Sequence, residues 1–251
     1  MNTVILMKNE RGKTRKEKID QHYEKQWSDY TEEDVFDRVR NLSKVLDPIT
    51  SQLNIKPDEK VLDLGSGPAI LPLRIAQVSD LESGIKIIGL EISYKAIQLG
   101  NRVIAKKGLG DFIHLVRGDA ENLPFKNNSF NAVVSNATIN LLLDKEKGFK
   151  EIVRVTKEGG NVVIGDCTAK EKGDCEKESD SNDRLWNVCI AGAPTKEEMK
   201  NYAEKVDLEV FEIIDLTDEV SFLVKNELWD WPEFIEYDLD YHVFRMKKSG
   251  N

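Results

Sequence analysis

Short apolar segments alternate with helical patterns through the middle of the chain, and this order restricts the possible folds more than any other feature of the sequence. The segments predicted as strands are Lys60–Leu64, Ile85–Leu90, Ile113–Arg117, Ala132–Ser135 and Asn161–Ile164. The segments predicted as helices are Ile70–Val78, Tyr94–Lys107 and, between the last two strands, Lys145–Val155. Strands that alternate with helices pair in parallel through right-handed crossovers, so the sequence predicts an α/β fold with a doubly wound sheet.

The N-terminal region, residues 1–55, is predicted to stand apart from this alternation. Lysine and arginine are frequent up to about Asp20 and no periodicity is sustained, which indicates a mobile arm. From Thr31, which begins a capping signal, apolar residues recur at helical spacing as far as Pro48. We therefore expect one amphipathic helix that leads into the main domain, residues 56–251.

The region after the fifth predicted strand carries two insertions, at about 168–186 and 217–240. The first is strongly acidic and is predicted to be a solvated loop. A helix is predicted to open at Thr195, followed by strands at about Leu208–Leu216 and His242–Met246. The second insertion is rich in aromatic residues, which form either a substrate wall or an oligomer contact.

Composition narrows the classes of function. The 251 residues carry 36 basic and 45 acidic side chains, a net charge of −9, which disfavours a nucleic-acid partner. No apolar run approaches the roughly 20 residues that span a bilayer, so we expect no membrane span. The cysteines Cys167, Cys175 and Cys189 are odd in number and form no CxxC motif, which favours a reducing, cytoplasmic location.

A glycine-rich turn follows the first predicted strand. Asp63 precedes Gly65, Ser66 and Gly67, and the two glycines permit a tight turn and close approach by a ligand at the crevice where doubly wound sheets bind nucleosides. Ile70 stands where a dinucleotide fingerprint has its third glycine, and the nearby acid would repel a pyrophosphate. The turn therefore suits a ligand with cationic groups better than a nicotinamide dinucleotide.

Acidic residues end three successive predicted strands. Asp63 follows the first strand, Glu91 ends the second 28 residues later, and Asp119 follows the third. The Glu91 carboxylate can accept two hydrogen bonds from a ribose diol, and Asp119 can accept one from an adenine amino group. Because the carboxyl ends of parallel strands meet at one edge of a sheet, the three acids predict a nucleoside site there.

With these motifs the chain resembles the class I S-adenosylmethionine-dependent methyltransferases, over about Lys60–Asp166 and more loosely to its end. The resemblance implies a Rossmann-like seven-stranded sheet with an N-terminal helical lid, and S-adenosylmethionine as cofactor with S-adenosylhomocysteine as product. The residues it implies for cofactor binding are Asp63, Gly65, Ser66, Gly67, Glu91, Ile92, Asp119, Ala120 and Asn136. The aromatic residues that precede Thr31 either belong to the lid or pack on the sheet, and they are His22, Tyr23, Trp27 and Tyr30.

Parts of the chain are similar to particular branches of that family. Residues 118–125 resemble enzymes that methylate quinones, sterols and arsenite, and residues 135–141 and 189–193 resemble arsenite methyltransferases. Only Cys189 carries over as an arsenic ligand, because the paired cysteines of those enzymes near the N-terminal helix have no counterpart here. A rearranged three-thiol site would need Cys167, Cys175 and Cys189 to converge.

The sequence thus predicts transfer of a methyl group to a small-molecule acceptor. This acceptor is a quinone-like, a lipid-like or another biosynthetic intermediate. A metalloid acceptor is the alternative, and a non-catalytic S-adenosylmethionine-binding partner protein is the alternative of another class. The candidate residues on the acceptor side are Cys189, Asn140 and Tyr23, with His22, Tyr23 or Asp166 as candidate bases. No metal site is expected unless the metalloid interpretation holds, and a homodimer is possible through the aromatic insertion.

Overall fold

A single seven-stranded sheet organises the computed structural model, which describes residues 14–171, 189–190 and 192–250. The strands are β1 (Lys60–Leu64), β2 (Lys86–Glu91), β3 (Ile113–Arg117), β4 (Phe130–Asn136), β5 (Thr156–Thr168), β6 (Leu208–Asp215) and β7 (Asp240–Lys248). Their order is β3-β2-β1-β4-β5-β7-β6, with β1 to β5 parallel and β7 antiparallel to both neighbours. The predicted doubly wound α/β sheet is confirmed, and β7 makes it a mixed one.

Helices cover both faces of the sheet. They are α1 (Arg15–Ser28), α2 (Glu32–Asn41), α3 (Ser43–Ser51), α4 (Ile70–Val78), α5 (Tyr94–Lys106), α6 (Lys145–Val155), α7 (Lys196–Glu204), α8 (Thr217–Lys225) and α9 (Pro232–Glu236). Successive side chains of a strand point to opposite faces, so Val61 packs in one core with α2 to α5, and Leu62 packs in the other with α6 and α7. Both cores flank β1, whose carboxyl end carries the glycine turn.

The N-terminal arm is predicted wrongly from Thr14 onward, because a helix begins there. The Thr14 hydroxyl accepts from the Glu17 backbone N–H, and the Glu17 carboxylate accepts from the Thr14 backbone N–H, which completes a capping box. The sequence did not predict this helix, because its basic residues are frequent and α1 carries only a narrow apolar stripe. Residues 1–13 of the predicted arm lie outside the described residues.

The single helix predicted between Thr31 and Pro48 is also wrong, because the structure has two helices there. Leu42 interrupts the pattern with φ −85° and ψ 8°, and α3 begins at Ser43. Pro48 lies inside α3 rather than ending it, so one backbone hydrogen bond of the helix is lost. Burial of Val45 and Ile49 against the sheet offsets that loss.

The C-terminal half follows the prediction more closely. The aromatic insertion contains α8 and α9, which pack Val220 and Phe234 into the core. β5 is longer than the segment predicted, since its pairing with β7 extends to Thr168. Residues 172–188 of the first insertion, with Cys175, lie outside the described residues, and the division of the chain at residue 55 stays a prediction. No helix in the described ranges is long and apolar enough to cross a membrane.

Candidate active site at the carboxyl edge of the sheet

A cavity opens at the carboxyl ends of β1, β2 and β4, where a doubly wound sheet places its ligands. Every residue predicted to bind the cofactor lines this cavity: Asp63, Gly65, Ser66, Gly67, Glu91, Ile92, Asp119, Ala120 and Asn136. The register explains the convergence, since Asp63 pairs with Gly89 of β2 and with Val134 of β4. The structure brings these residues to one place, and their roles in binding stay predictions.

The glycine turn is shaped by two close approaches. Gly65 has φ +70°, and a Cβ there would lie 2.1 Å from Thr138 Oγ1, so the turn excludes a side chain at this position. The backbone N–H groups of Gly65 and Ser66 both donate to the Leu90 carbonyl, at 2.8 and 3.0 Å. These bonds tie the turn to the end of β2 and leave the Gly67 side of the turn facing the cavity.

Asp63 and Glu91 are buried carboxyl groups with acceptor capacity to spare. Glu91 accepts from the backbone N–H of Gly67 at 2.9 Å and of Ser93 at 2.8 Å, whereas Asp63 Oδ2 has no hydrogen-bond partner in the described part of the chain. Burial, and secondly the nearby Glu91, raises the pKa of Asp63 well above its usual range. Burial also raises the pKa of Glu91, and the backbone N–H groups that donate to its carboxylate oppose this rise. A cationic or donor-rich ligand would satisfy both groups.

Asp119 meets a basic residue of α1 that the sequence interpretation assigned to the arm. Lys16 Nζ lies 2.5 Å from Asp119 Oδ2 and 3.2 Å from Glu121 Oε2. The backbone N–H of Glu121 donates to Asp119 Oδ1 at 2.9 Å, and Glu121 Oε1 accepts from the Leu143 N–H at 2.8 Å. The acid after β3 is therefore held in place from two sides, with Lys16 at the rim of the cavity.

Two further side chains of α1 continue this attachment at intervals of four residues from Lys16. Asp20 pairs with Arg117 at 3.3 Å, and the Glu24 carboxylate accepts from the backbone N–H of Tyr94, the first residue of α5. Residues spaced by four lie on one face of a helix. Polar contacts along one face of α1 thus connect this helix to the last residue of β3 and the first residue of α5.

The adjacent apolar stripe of α1 faces the cavity. Ile19, Tyr23 and Trp27, also spaced by four, all line it. The Trp27 ring approaches the glycine turn so closely that a Cβ on Gly67 would lie 3.4 Å from its Cζ2 atom. The helix therefore roofs the cavity, in the position that the predicted lid requires.

The two described thiols have different environments. Cys189 lines the cavity, donates to the Ala137 carbonyl at 3.3 Å and accepts from the Tyr23 hydroxyl. Burial, with Asp166 as a second cause, raises the pKa of Cys189 well above its usual range. Cys167 is fully buried, is not among the residues that line the cavity, and accepts from Asn140 Nδ2 at 3.1 Å. Within the described ranges no cluster of three His, Cys, Asp or Glu side chains could hold a metal ion.

Asn140 lies behind the cavity rather than in its wall. Its Nδ2 donates to the carbonyls of Cys167 at 2.8 Å and Cys189 at 3.2 Å, and its backbone N–H donates to Asp166 Oδ2 at 3.2 Å. Lys145 Nζ donates to the Asn140 carbonyl at 3.2 Å, and burial lowers the pKa of Lys145 to about 8. These contacts suit a residue that positions Cys189, so the catalytic role predicted for Asn140 stays a prediction without a contact to the cavity.

The aromatic insertion supplies part of the cavity wall. Trp229 and Trp231 line the cavity with ring centroids 5.1 Å apart, which supports the substrate-wall alternative for these two residues. Tyr241 is buried behind them and donates to Asn136 Oδ1 at 2.7 Å. His22 also lines the cavity, and burial, with Lys25 as a second cause, lowers its pKa and favours the neutral imidazole.

Reasoning from sequence gave no site role to several charged residues of the cavity wall, among them Lys16, Arg38 and Glu121. Glu121 follows the strand-end acid Asp119 by two residues, whereas Lys16 and Arg38 stand in no strand-end motif. The capping box that begins at Thr14 was the available signal for a helix carrying Lys16. No comparable signal marks Arg38, because its approach to the cavity depends on how α2 packs.

Comparisons with known proteins agree with this geometry. A family model described as a methyltransferase domain matches residues 55–207. The arsenite methyltransferase of Halobacterium salinarum is 30% identical over 169 residues, 66% of this chain and 41% of that protein. The ubiquinone/menaquinone biosynthesis C-methyltransferase of Geotalea daltonii is 29% identical over 45% of this chain and 47% of its own length. The chain thus spans less than half the length of these relatives.

Solved structures share the fold at low sequence identity. Geranyl diphosphate C-methyltransferase from Streptomyces coelicolor superposes with a TM-score of 0.68 at 16% identity, covering 81% of this chain and 74% of that one. The [4+2]-cyclase SpnF superposes with a TM-score of 0.67 at 17% identity, covering 83% and 81%. The match of the family model to more than half of the chain, on a sheet of this order, shows that the chain belongs to the methyltransferase domain family.

Proposed function

We propose that the protein transfers the methyl group of S-adenosylmethionine to an organic small-molecule acceptor. The observation that carries the proposal is the unpartnered, buried Asp63 Oδ2 beside Glu91 in a cavity that opens on the glycine turn. A buried carboxyl group without a partner is costly unless a ligand supplies one. Membership of the methyltransferase domain family supports the same activity.

The residues present fit S-adenosylmethionine group by group. Asp63 would accept from the ammonium of the methionine half, and the second lone pairs of the Glu91 oxygens are available to a ribose diol. Asp119 would accept from the adenine amino group beside Ala120. When bound, the cofactor supplies an electrophilic methyl group on a sulfonium centre, and the negative charge of this edge of the sheet favours that cation.

The acceptor would lie between α1 and the wall formed by Trp229 and Trp231. These aromatic faces and the α1 stripe exclude water and present flat apolar surface, which suits a quinone-like or lipid-like molecule. Because its pKa is lowered, His22 is neutral near pH 7. It can therefore remove the proton from a methyl acceptor that reacts only in its ionised form. Tyr23 and Cys189, hydrogen-bonded to each other, are the proposed contacts on the acceptor side.

A metalloid acceptor is the second candidate, favoured by the arsenite methyltransferase of Halobacterium salinarum among the relatives. The described thiols give it little support. Cys189 carries a raised pKa and so favours the thiol over the thiolate that binds soft metals, and Cys167 points its sulfur toward Asn140 and the Cys189 carbonyl. An organic acceptor therefore agrees better with the cavity.

Calorimetric titration tests the proposal first. The purified, reduced protein should bind S-adenosylmethionine and S-adenosylhomocysteine, and Asp63→Asn should abolish binding of the former, with Lys25→Ala as a control on the exposed face of α1. Absence of binding by the wild-type protein would refute the proposal. As(III) added to the saturated complex should give no signal, whereas a signal that Cys189→Ser abolishes would favour the metalloid candidate.

Turnover separates an enzyme from a non-catalytic binding protein. Methyl-labelled S-adenosylmethionine is incubated with a panel of quinones, phenols and lipids, and label should move to an organic product. The cyclase among the structural neighbours is a reminder that this fold carries other reactions, so bound S-adenosylmethionine without transfer would favour the alternative class. Fractionation and sedimentation analysis test two accompanying proposals, a cytoplasmic location and a homodimer.

A further inference from the structure

The indole nitrogen of Trp27 is a buried donor without a partner. Trp27 is 7% exposed, lines the cavity, and its Nε1 finds no hydrogen-bond acceptor in the described part of the chain. A buried tryptophan N–H normally donates to some group. Because the ring lies close to Gly67 of the glycine turn, a group bound in the cavity beside that turn would supply the missing acceptor.

Arg38 brings positive charge to the same place. Its guanidinium carbon lies 5.9 Å from the Trp27 ring centroid, and its Nη1 donates to the Tyr30 hydroxyl at 2.8 Å. Among the described residues no carboxylate forms an ion pair with it. The other basic residue of the cavity wall, Lys16, is already paired with Asp119. Four of the five donors of the Arg38 guanidinium therefore remain for other groups.

These donors line the same cavity as an unpartnered acceptor. Asp63 Oδ2 is an unpartnered acceptor, and Trp27 Nε1 is an unpartnered donor supported by a cation. A zwitterion with an ammonium and a carboxylate on one carbon would satisfy both. Resting on the proposed function, we propose that Trp27 and Arg38 bind the α-carboxylate of S-adenosylmethionine, so that α1 and α2 take part directly in holding the methionine half.

A ligand that lacks only the carboxylate provides the test. Decarboxylated S-adenosylmethionine keeps the ammonium, the sulfonium and the adenosine. Calorimetric affinities for it and for S-adenosylmethionine are measured with wild type, Trp27→Phe and Arg38→Met. Loss of a hydrogen bond to a charged group should weaken S-adenosylmethionine at least about tenfold and leave decarboxylated S-adenosylmethionine within about twofold.

Trp229→Phe is the matched control, because Trp229 is a buried tryptophan in the same cavity and should not alter the ratio of the two affinities. Thermal unfolding and circular dichroism verify that each variant is folded, and Arg38→Lys should recover part of the discrimination. Equal weakening of both ligands in Trp27→Phe and Arg38→Met would overturn the inference, since it indicates packing alone.

If Trp27→Phe and Arg38→Met bind both ligands with wild-type affinity, the inference is also overturned. The Trp27 and Arg38 donors would then be assigned to a carboxylate of the methyl acceptor. Each of these results presupposes that wild type binds S-adenosylmethionine. Failure of the inference is therefore distinct from failure of the proposed function, in which wild type does not bind at all.

Discussion

Lys16 Nζ lies 2.5 Å from Asp119 Oδ2, and this ion pair joins the first turn of α1 to the second residue after β3. The two residues are 103 positions apart in the chain, yet their side chains meet at the rim of the cavity. Asp20 and Glu24 extend the attachment along the same helix face. The roof of the cavity is therefore held by polar contacts that are partly exposed to solvent.

Lys16→Ala should loosen this roof without unfolding the protein. Partly exposed ion pairs contribute about 1 kcal/mol or less, so we expect hydrogen exchange in the first turns of α1 to accelerate by up to about fivefold. Added salt should produce a similar change in the wild-type protein. Lys25→Ala, at an exposed position of the same helix, should leave exchange unchanged, and equal effects of both substitutions would contradict the role given to Lys16.

Asp63→Asn should stabilise the unliganded protein. The pKa of Asp63 is raised in the folded state, so its ionisation opposes folding, and this cost grows as pH rises above the ordinary carboxyl pKa. An uncharged amide removes that cost, and we expect a gain of about 1 kcal/mol or more at pH 7. Urea unfolding at pH 7 and pH 5 measures it, and the gain should shrink at the lower pH. A loss of stability at pH 7 would contradict this reading of the site.

Asn140→Ala should destabilise the fold substantially. The substitution leaves the buried carbonyls of Cys167 and Cys189 without the donor that joins them, at a cost of about 2–3 kcal/mol. Urea unfolding gives the free energy of unfolding directly. Asn226→Ala removes a comparable amide-to-carbonyl bond at an exposed helix end, to Phe222 at 2.8 Å, and should cost less than about 1 kcal/mol.

His242 should make stability depend on pH below neutrality. Its ring is buried and its Nδ1 lies 2.8 Å from Thr168 Oγ1, and burial lowers its pKa. A histidine with a depressed pKa favours folding in its neutral form, so its contribution is complete above pH about 6.5 and declines as pH falls below that value. His242→Gln should flatten the urea midpoint between pH 7.5 and pH 5.5. The same measurement is needed on His22→Gln, because burial lowers the pKa of His22 as well and this residue contributes to the same pH dependence.

The strand and helix pattern was readable from sequence because its signals are local. A short apolar run indicates a strand wherever it lies, and the chain order of strands and helices then dictates a doubly wound sheet. The positions of Asp63, Glu91 and Asp119 in the cavity follow from the same rule, since parallel strands end at one edge. The break at Leu42 and the helix that begins after Thr14 were not predicted, because neither stands out against its neighbours in composition.

By itself the sequence determined the sheet, the glycine turn and the acids at the strand ends, because each depends on residues close together in the chain. Only the tertiary structure decided that Lys16 and Arg38 reach the cavity and that the Cys167 sulfur faces Asn140 instead. Those outcomes depend on how α1, α2 and the chain after β5 pack on the finished sheet. Packing joins residues far apart in the chain, and no local periodicity records which side chains will meet.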